Sequence, residues 1–225
     1  MNESHTLPVI GLLGGTFDPV HGGHRALADA ALACGMVDQV RWIPAGHPPH
    51  RAGPAASAEH RLAMVRLMIA DQPRFSLDDS EVIAAVRGEA SYTVHTLERL
   101  RRELGPAQPL AWILGADAFL GLPAWHRWQD ILPLTHLIVT TRPGASLQPS
   151  NLPEPLRPVW SAHLTEHPQE LATQPGGRIC QFPMTPVELS ATELRRRLPD
   201  TTATFDGLLP PAIVRYIRHH HLYTH

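Results

Sequence analysis

Gly14-Gly15-Thr16-Phe17-Asp18-Pro19-Val20-His21-Gly22-Gly23-His24 decides how the rest of this chain is read. It follows a short apolar run, 8–13, and precedes an Ala-rich segment that runs to Ala33 and stops near Gly35. An apolar run closed by glycines reads as a buried strand, and the Ala-rich segment reads as a helix. The quoted residues are therefore a strand-to-helix loop, and the loop suits an anion. Its two leading glycines allow backbone to approach a ligand closely. The helix after it begins with N–H groups that lack intrahelical partners, and these are expected to point at the loop. His21 and His24 are three residues apart and project from one face of the first turns. Gly22 and Gly23 keep the helix start slim, so that a nucleotide can lie against it. The other reading makes His21 a helix cap and His24 a packed surface histidine. The glycine spacing is not GxGxxG and no Gly-Lys-Ser/Thr follows, which excludes the dinucleotide fingerprint and the P-loop.

Strand and helix signals alternate away from this loop. Strands are expected at 39–44, 75–77, 82–86, 110–114, 137–140 and 179–182. Ser57 caps a helix over about 58–70, and Ser91 caps one over 92–104 that Gly105-Pro106 stops. Gly115-Ala116-Asp117 opens a short helix. Ser190 caps another that runs through Leu198, and 210–219 is a final helix with proline at its start. Residues 45–56 form a loop, and the proline-rich stretch 143–178 reads as loop as well. This alternation predicts an α/β fold: a Rossmann-like, doubly wound parallel sheet with a small C-terminal helical portion from about 186, all one domain over 1–225. Ligands in such sheets sit beyond the carboxyl ends of the strands.

Composition narrows the chemistry. The chain has 225 residues, 43% of them hydrophobic, and a net charge of −2, which argues against a nucleic-acid-binding surface. All 19 basic residues are arginine, so lysine-based phosphate binding, Schiff-base chemistry and lysine base catalysis are excluded. Cys34 and Cys180 have neither CxxC nor metal-ligand spacing. Arg25 is the first arginine and no apolar run is long enough to span a membrane. A cytoplasmic, reduced protein is the expectation.

GGTFDPVHxGH resembles the signature of the nucleotidyltransferases that carry the (H/T)xGH motif. Within that superfamily the chain is similar to the bacterial nicotinate mononucleotide adenylyltransferases, in several separate blocks. Pro48-Pro49-His50-Arg51 resembles their PPH(K/R) loop, and Ser91-Tyr92-Thr93 with Thr96-Leu97 their SYTxxTL block. Gly115-Ala116-Asp117 resembles GxD, Trp125 a substrate-stacking tryptophan, and Thr141-Arg142-Pro143-Gly144 the RPG block. Leu189-Ser190-Ala191-Thr192-Glu193-Leu194-Arg195 resembles ISSTxIR, with alanine in place of the second serine. Leu209-Pro210, Tyr216-Ile217 and Leu222-Tyr223 resemble the C-terminal block.

The resemblance implies adenylyl transfer from ATP to nicotinate mononucleotide, giving deamido-NAD and pyrophosphate, with Mg²⁺ carried on ATP. It gives His21, His24 and Arg195 catalytic roles. Gly14, Gly15, Thr16, Phe17, Ser190 and Thr192 would line the phosphates. Asp117 would meet a ribose or cap its helix, and Arg142 is a looser match to the nucleotide. Arg51, Thr93, Trp125 and His126 would hold the mononucleotide, with Trp125 stacked on the pyridine ring and Trp128 in the core. Ser190 and Thr192 read alone are equally an N-cap and its helix. No cluster of His, Asp and Glu has metal-ligand spacing, so no protein-held metal is expected. Adenylyl transfer to nicotinamide mononucleotide or phosphopantetheine, a dehydrogenase, and a non-enzymatic nucleotide sensor are the alternatives. The Thr93 and Trp125 blocks favour a pyridine mononucleotide over phosphopantetheine and do not separate nicotinate from nicotinamide. The dehydrogenase lacks both GxGxxG and the acidic residue expected after the second strand.

Overall fold

The computed structural model describes residues 7–47, 53–141, 144, 146–185 and 190–224. Its strands are β1 (Ile10–Gly15), β2 (Gln39–Pro44), β3 (Phe75–Leu77), β4 (Leu110–Gly115), β5 (His136–Thr141) and β6 (Ile179–Pro183). They form one sheet in the order β3-β2-β1-β4-β5-β6. β1 pairs with β4, β4 with β5 and β5 with β6, each in parallel. The order runs outward from β1 in one direction and from β4 in the other, which is the doubly wound, Rossmann-like arrangement that the alternation predicts. The helices are α1 (Gly22–Ala33), α2 (Ala58–Ile69), α3 (Ser80–Val86), α4 (Thr93–Leu104), α5 (Ala116–Leu120), α6 (Ile131–Leu134), α7 (Leu156–His163), α8 (Ala191–Arg197) and α9 (Pro211–His219). Among the described residues no helix is long and apolar enough to cross a membrane.

The chain divides into two compact units. The first comprises the described residues of Met1–Leu13, Ala30–Arg41 and Tyr92–Thr185. β4 and β5 are buried along nearly their whole length, as strands in a parallel sheet must be. Arg101 is tied down by carbonyls: its guanidinium donates to those of Leu134 at 2.7 and 2.8 Å, of Pro175 at 2.6 Å, and of Gln108. The proline-rich stretch expected to be loop contains α7, whose Trp160 is buried against Phe119 with ring centroids 5.4 Å apart. Leu156 and Trp160, four apart on one face, supply the apolar stripe that a proline count conceals.

The second unit comprises Gly14–Asp29 and the described residues of Trp42–Ser91 and Pro186–His225. Ser57 caps α2 as expected, its Oγ accepting from the His60 N–H at 3.4 Å. Two local expectations are corrected here. The run 82–86, expected as a strand, is the body of α3. A short apolar run does not distinguish strand from helix, and Asp78 Oδ1 accepts from the Ser80 N–H at 3.1 Å in a turn that starts the helix. Ser91 does not cap α4, whose N-cap is Tyr92. The Ser91 Oγ accepts instead from the N–H groups of Gly46 and His47, at 3.0 and 3.2 Å, and so holds the loop after β2.

Gly22 opens α1 because another backbone lies on it. Its N–H donates to Leu208 O at 2.7 Å, and a Cβ built on it would sit 2.6 Å from Gly207 O. At Gly22 the slim helix start accommodates the C-terminal chain. A Gly22→Ala substitution is expected to displace 207–208 and to lower stability by about 1–3 kcal/mol, the usual cost of overpacking. Chemical denaturation of the variant against the parent measures it.

Candidate active site

The loop 14–24 is built from the second unit alone. Phe17 sits at φ +51°, a left-handed conformation uncommon for a non-glycine residue, with its ring buried. That ring meets His24 edge-on at 4.9 Å and Trp42 at 5.6 Å. A Cβ on Gly15 would lie 2.9 Å from the Phe17 ring. Glycine is therefore needed at 15 to seat Phe17, beyond any approach of backbone to a ligand.

The two histidines are bonded reciprocally to the start of α1. His21 Nδ1 accepts from the Gly23 N–H at 3.2 Å, and His24 Nδ1 accepts from the His21 N–H at 3.3 Å. This is the logic of a capping box, with imidazoles in place of the usual hydroxyl and carboxylate. The His21 carbonyl accepts from the N–H groups of His24 and Arg25. The expectation that α1 offers free N–H groups to the loop is thereby corrected. Gly22, Gly23, His24 and Arg25 all spend theirs, on Leu208 O, His21 Nδ1 and His21 O.

The cap also fixes the proton. A backbone N–H only donates, so each Nδ1 must be an unprotonated acceptor, and each neutral ring carries its hydrogen on Nε2, directed away from the helix start. The rings lie 3.8 Å apart, centroid to centroid. Burial lowers the His21 pKa to about 4. Burial, and then the charge of His21, lower that of His24 to about 3. Both are neutral at pH 7. The cap and the anion-binding roles, which the sequence leaves as alternatives, are compatible: Nδ1 serves the backbone and Nε2–H stays available.

Asp18 is the junction of this loop. Its carboxylate accepts from the N–H groups of Ala55 (2.8 Å) and Ala56 (3.1 Å) and from the Tyr223 hydroxyl (2.7 Å). Burial and the bond to Asp18 raise the Tyr223 pKa far above its ordinary value. The Asp18 carbonyl accepts from Arg195 at 2.6 Å. Ser190 caps α8, its Oγ accepting from the Glu193 N–H at 3.1 Å, and Thr192 Oγ1 accepts from Arg195 at 3.3 Å. The three successive arginines of α8 have separate partners. Arg196 pairs with Glu193, Arg197 donates to Thr204 O, and Arg195 reaches loop 14–24.

The first unit holds the other group of predicted residues. Tyr92, His95 and His126 cluster, with centroids 4.4 Å (Tyr92–His126), 5.4 Å (Tyr92–His95) and 5.5 Å (His95–His126) apart. Thr93 is the first residue of α4, next to Tyr92. Trp125 is half-buried, and its N–H closes the turn before it on Leu122 O at 2.9 Å. Trp128, expected in the core, is also half-buried: it opens a single 3₁₀ turn instead of packing on the sheet. Asp117 is exposed in the first turn of α5, and Gly115 occupies the cap position, so Asp117 does not cap that helix. Arg51 and Arg142 lie outside the described residues, as do Pro48-Pro49-His50 and Leu189. Among the described residues no group of three or more His, Cys, Asp and Glu is arranged to hold a metal.

Asp18 and Arg61 were not singled out by the sequence reading, and Tyr223 appeared there only inside a motif block. Arg61 had a visible signal. Arg61, Met64, Val65 and Met68 are the buried residues of α2, so a guanidinium occupies the apolar stripe.

Known proteins place the chain. A family model described as cytidylyltransferase-like matches residues 12–197. The probable nicotinate-nucleotide adenylyltransferase of Dechloromonas aromatica is 49% identical over 95% of this chain and 97% of that one. The protein of the same name in Aeromonas hydrophila is 46% identical over 96% and 97%. The fold matches a Plasmodium falciparum nicotinic acid mononucleotide adenylyltransferase complexed with NaAD, with a TM-score of 0.70 at 16% identity over 96% of this chain and 97% of that one. The chain belongs to the cytidylyltransferase-like nucleotidyltransferases and, within them, to the nicotinate-nucleotide adenylyltransferase family.

The histidine pair makes folding pH-dependent. Unfolded histidine titrates near 6.5 and these two, folded, at about 4 and about 3, so the unfolded chain binds more protons below 6.5. Stability is full above pH 6.5 and falls as pH drops toward 4, each histidine contributing a slope of up to about 1.4 kcal/mol per pH unit. Urea denaturation at pH 7, 6 and 5 is expected to show this loss. It is expected to be smaller in His24→Asn, which removes one titrating ring.

Proposed function

We propose that the protein transfers the adenylyl group of ATP to nicotinate mononucleotide. The mononucleotide's phosphate oxygen attacks the α-phosphorus of ATP in line; the bond from that phosphorus to the bridging oxygen breaks, and pyrophosphate leaves. The attacking phosphate is ionised at pH 7, so no general base is required. What the chemistry needs is charge stabilisation and positioning.

The observation that carries this reading is the self-capped histidine pair. Two neutral imidazoles whose Nε2–H is not used by the cap are fixed hydrogen-bond donors that need no proton transfer. They lie on the same loop that Arg195 grips through Asp18 O. Gly14, Gly15, Thr16 and Phe17 line the phosphates, and Arg195 meets the charge that builds on the leaving pyrophosphate. Ser190 contributes by capping α8, and Thr192 by steadying Arg195. Asp117 accepts from a ribose hydroxyl. Thr93, Trp125 and His126 take the nicotinate ring, and Arg51 and Arg142 the mononucleotide phosphate and the nucleotide. Mg²⁺ arrives on ATP as part of the substrate. The donor set fits that arrangement, because the two imidazoles offer Nε2–H groups and the oxygens of Asp18 are already occupied. The relatives' names and the NaAD bound to the structural neighbour support the same substrates.

Purified protein given ATP, Mg²⁺ and equal nicotinate and nicotinamide mononucleotides is expected to make mostly deamido-NAD. Mostly NAD would overturn the choice of acceptor, and no dinucleotide would overturn adenylyl transfer to a pyridine mononucleotide. His24→Asn keeps an acceptor where Nδ1 stands but removes the Nε2–H donor, whereas His24→Ala removes both. Both variants are expected to lose roughly a hundredfold in kcat, as for removal of one transition-state donor. The melting temperature should fall chiefly in His24→Ala. Parental turnover by His24→Asn would refute the donor role.

A further inference from the structure

We infer that Arg61 is the positioning residue of the phosphate site: its buried guanidinium aims the Thr16–Phe17 peptide and places a fixed positive charge behind it. This rests on the reading of loop 14–24 as a polyphosphate site. Arg61 is 1% exposed. Its Nη1 donates to Thr16 O and to Ala45 O, each at 2.6 Å, its Nη2 to Gly46 O at 2.9 Å, and its Nε to Ala56 O at 3.3 Å. One side chain therefore gathers the phosphate loop, the loop after β2 and the approach to α2.

The orientation of the peptide follows from planarity. The carbonyl and N–H of a trans peptide point in opposite directions. Thr16 C=O drawn onto Arg61 turns the Phe17 N–H to the side away from the guanidinium. The same relation is visible at a neighbouring peptide: Gly46 C=O is on Arg61, and the His47 N–H on its far side donates to Ser91 Oγ at 3.2 Å. Phe17, at φ +51°, is the residue whose backbone most needs such restraint.

The charge has a separate consequence. Among the described residues no carboxylate lies within ion-pair distance of Arg61. Asp18 acts on it through space but also faces Arg195, whose Nη1 lies 3.7 Å from Asp18 Oδ2, so one carboxylate serves two guanidiniums. Carbonyl dipoles satisfy the donors of a buried guanidinium but do not neutralise it, and a buried charge that lacks a counter-charge of its own is costly. A polyphosphate in the loop supplies that counter-charge, and low surrounding polarity strengthens the attraction. Lysine could not replace this residue, because one ammonium cannot reach carbonyls spread over a planar fork.

The test compares Arg61→Lys, which keeps the charge and loses the fork, with Arg61→Gln, which loses both. The probe is inorganic pyrophosphate, titrated calorimetrically into protein whose fold is checked by circular dichroism. Affinity is expected to fall about tenfold in Arg61→Lys and about a hundredfold in Arg61→Gln, the scale of lost charge-assisted bonds. KM for ATP is expected to rise in parallel, with KM for nicotinate mononucleotide within twofold of the parent. A purely structural role would lower the melting temperature and leave the anion affinity of the folded protein unchanged. Folded variants that bind pyrophosphate within twofold of the parent would overturn the proposal. If neither variant folds, the parent decides: pyrophosphate should shift the Arg61 Nε–H resonance in nitrogen-15 spectra, and an unmoved resonance would overturn it. A parent that binds pyrophosphate but makes no dinucleotide refutes adenylyl transfer while leaving Arg61 to be judged on pyrophosphate alone. A parent that binds no pyrophosphate overturns both.

Discussion

The N–H groups at the start of α1 must be satisfied before that helix can serve anything else, and the chain satisfies them with the residues expected to act on substrate. His21 and His24 each give Nδ1 to a backbone donor. That one constraint sets three properties together. It closes the helix end, it uses up the helix's own first N–H groups, and it assigns the ring protons to Nε2. Burial then keeps both rings neutral at working pH. A charged pair at this spacing would repel itself and lose the cap, since protonated Nδ1 cannot accept. The role in phosphate chemistry proposed for the pair thus follows from how the helix begins.

Around this cap the second unit is wired by long-range polar bonds rather than by apolar packing alone. Asp18 collects Ala55, Ala56 and Tyr223 on its carboxylate and Arg195 on its carbonyl. Arg61 collects the carbonyls of Thr16 and Ala45. A loop held at several points enters binding with little conformational freedom left to lose, which is the condition for stabilising developing charge without reorganisation. The C-terminal chain takes part directly, through Leu208 on Gly22 and Tyr223 on Asp18. Chemistry read from residues 14–24 therefore depends on residues near the other end of the sequence.

How much of this is legible in the sequence follows from the range of each interaction. The sheet, most helices and the caps at Ser57 and Ser190 depend on near neighbours, and the local signals suffice for them. The helix at α3 does not, because five apolar residues fit either period and a turn at Asp78 decides. Ser91 looks like a cap by position, yet its hydroxyl is claimed by Gly46 and His47, over forty residues away. Asp18 and Tyr223 are 205 residues apart, so their bond has no local signature. Arg61 is intermediate: its partners are unreadable, but a permanent charge on an apolar stripe signals a buried role. At the histidines the sequence poses cap against ligand as alternatives, and only atomic detail, one nitrogen for each task, removes the opposition.

The protonation state of the pair is open to direct observation. Long-range proton–nitrogen-15 correlation spectra of the histidine rings, recorded on the parent protein from pH 7.5 to 5.5, report the state of each nitrogen. His21 and His24 are predicted to show the neutral Nε2–H form, with Nδ1 as acceptor, throughout that range while exposed histidines titrate. An imidazolium, or a proton on Nδ1 of either ring at pH 7, would contradict the capped, neutral donor pair on which this description of the site rests.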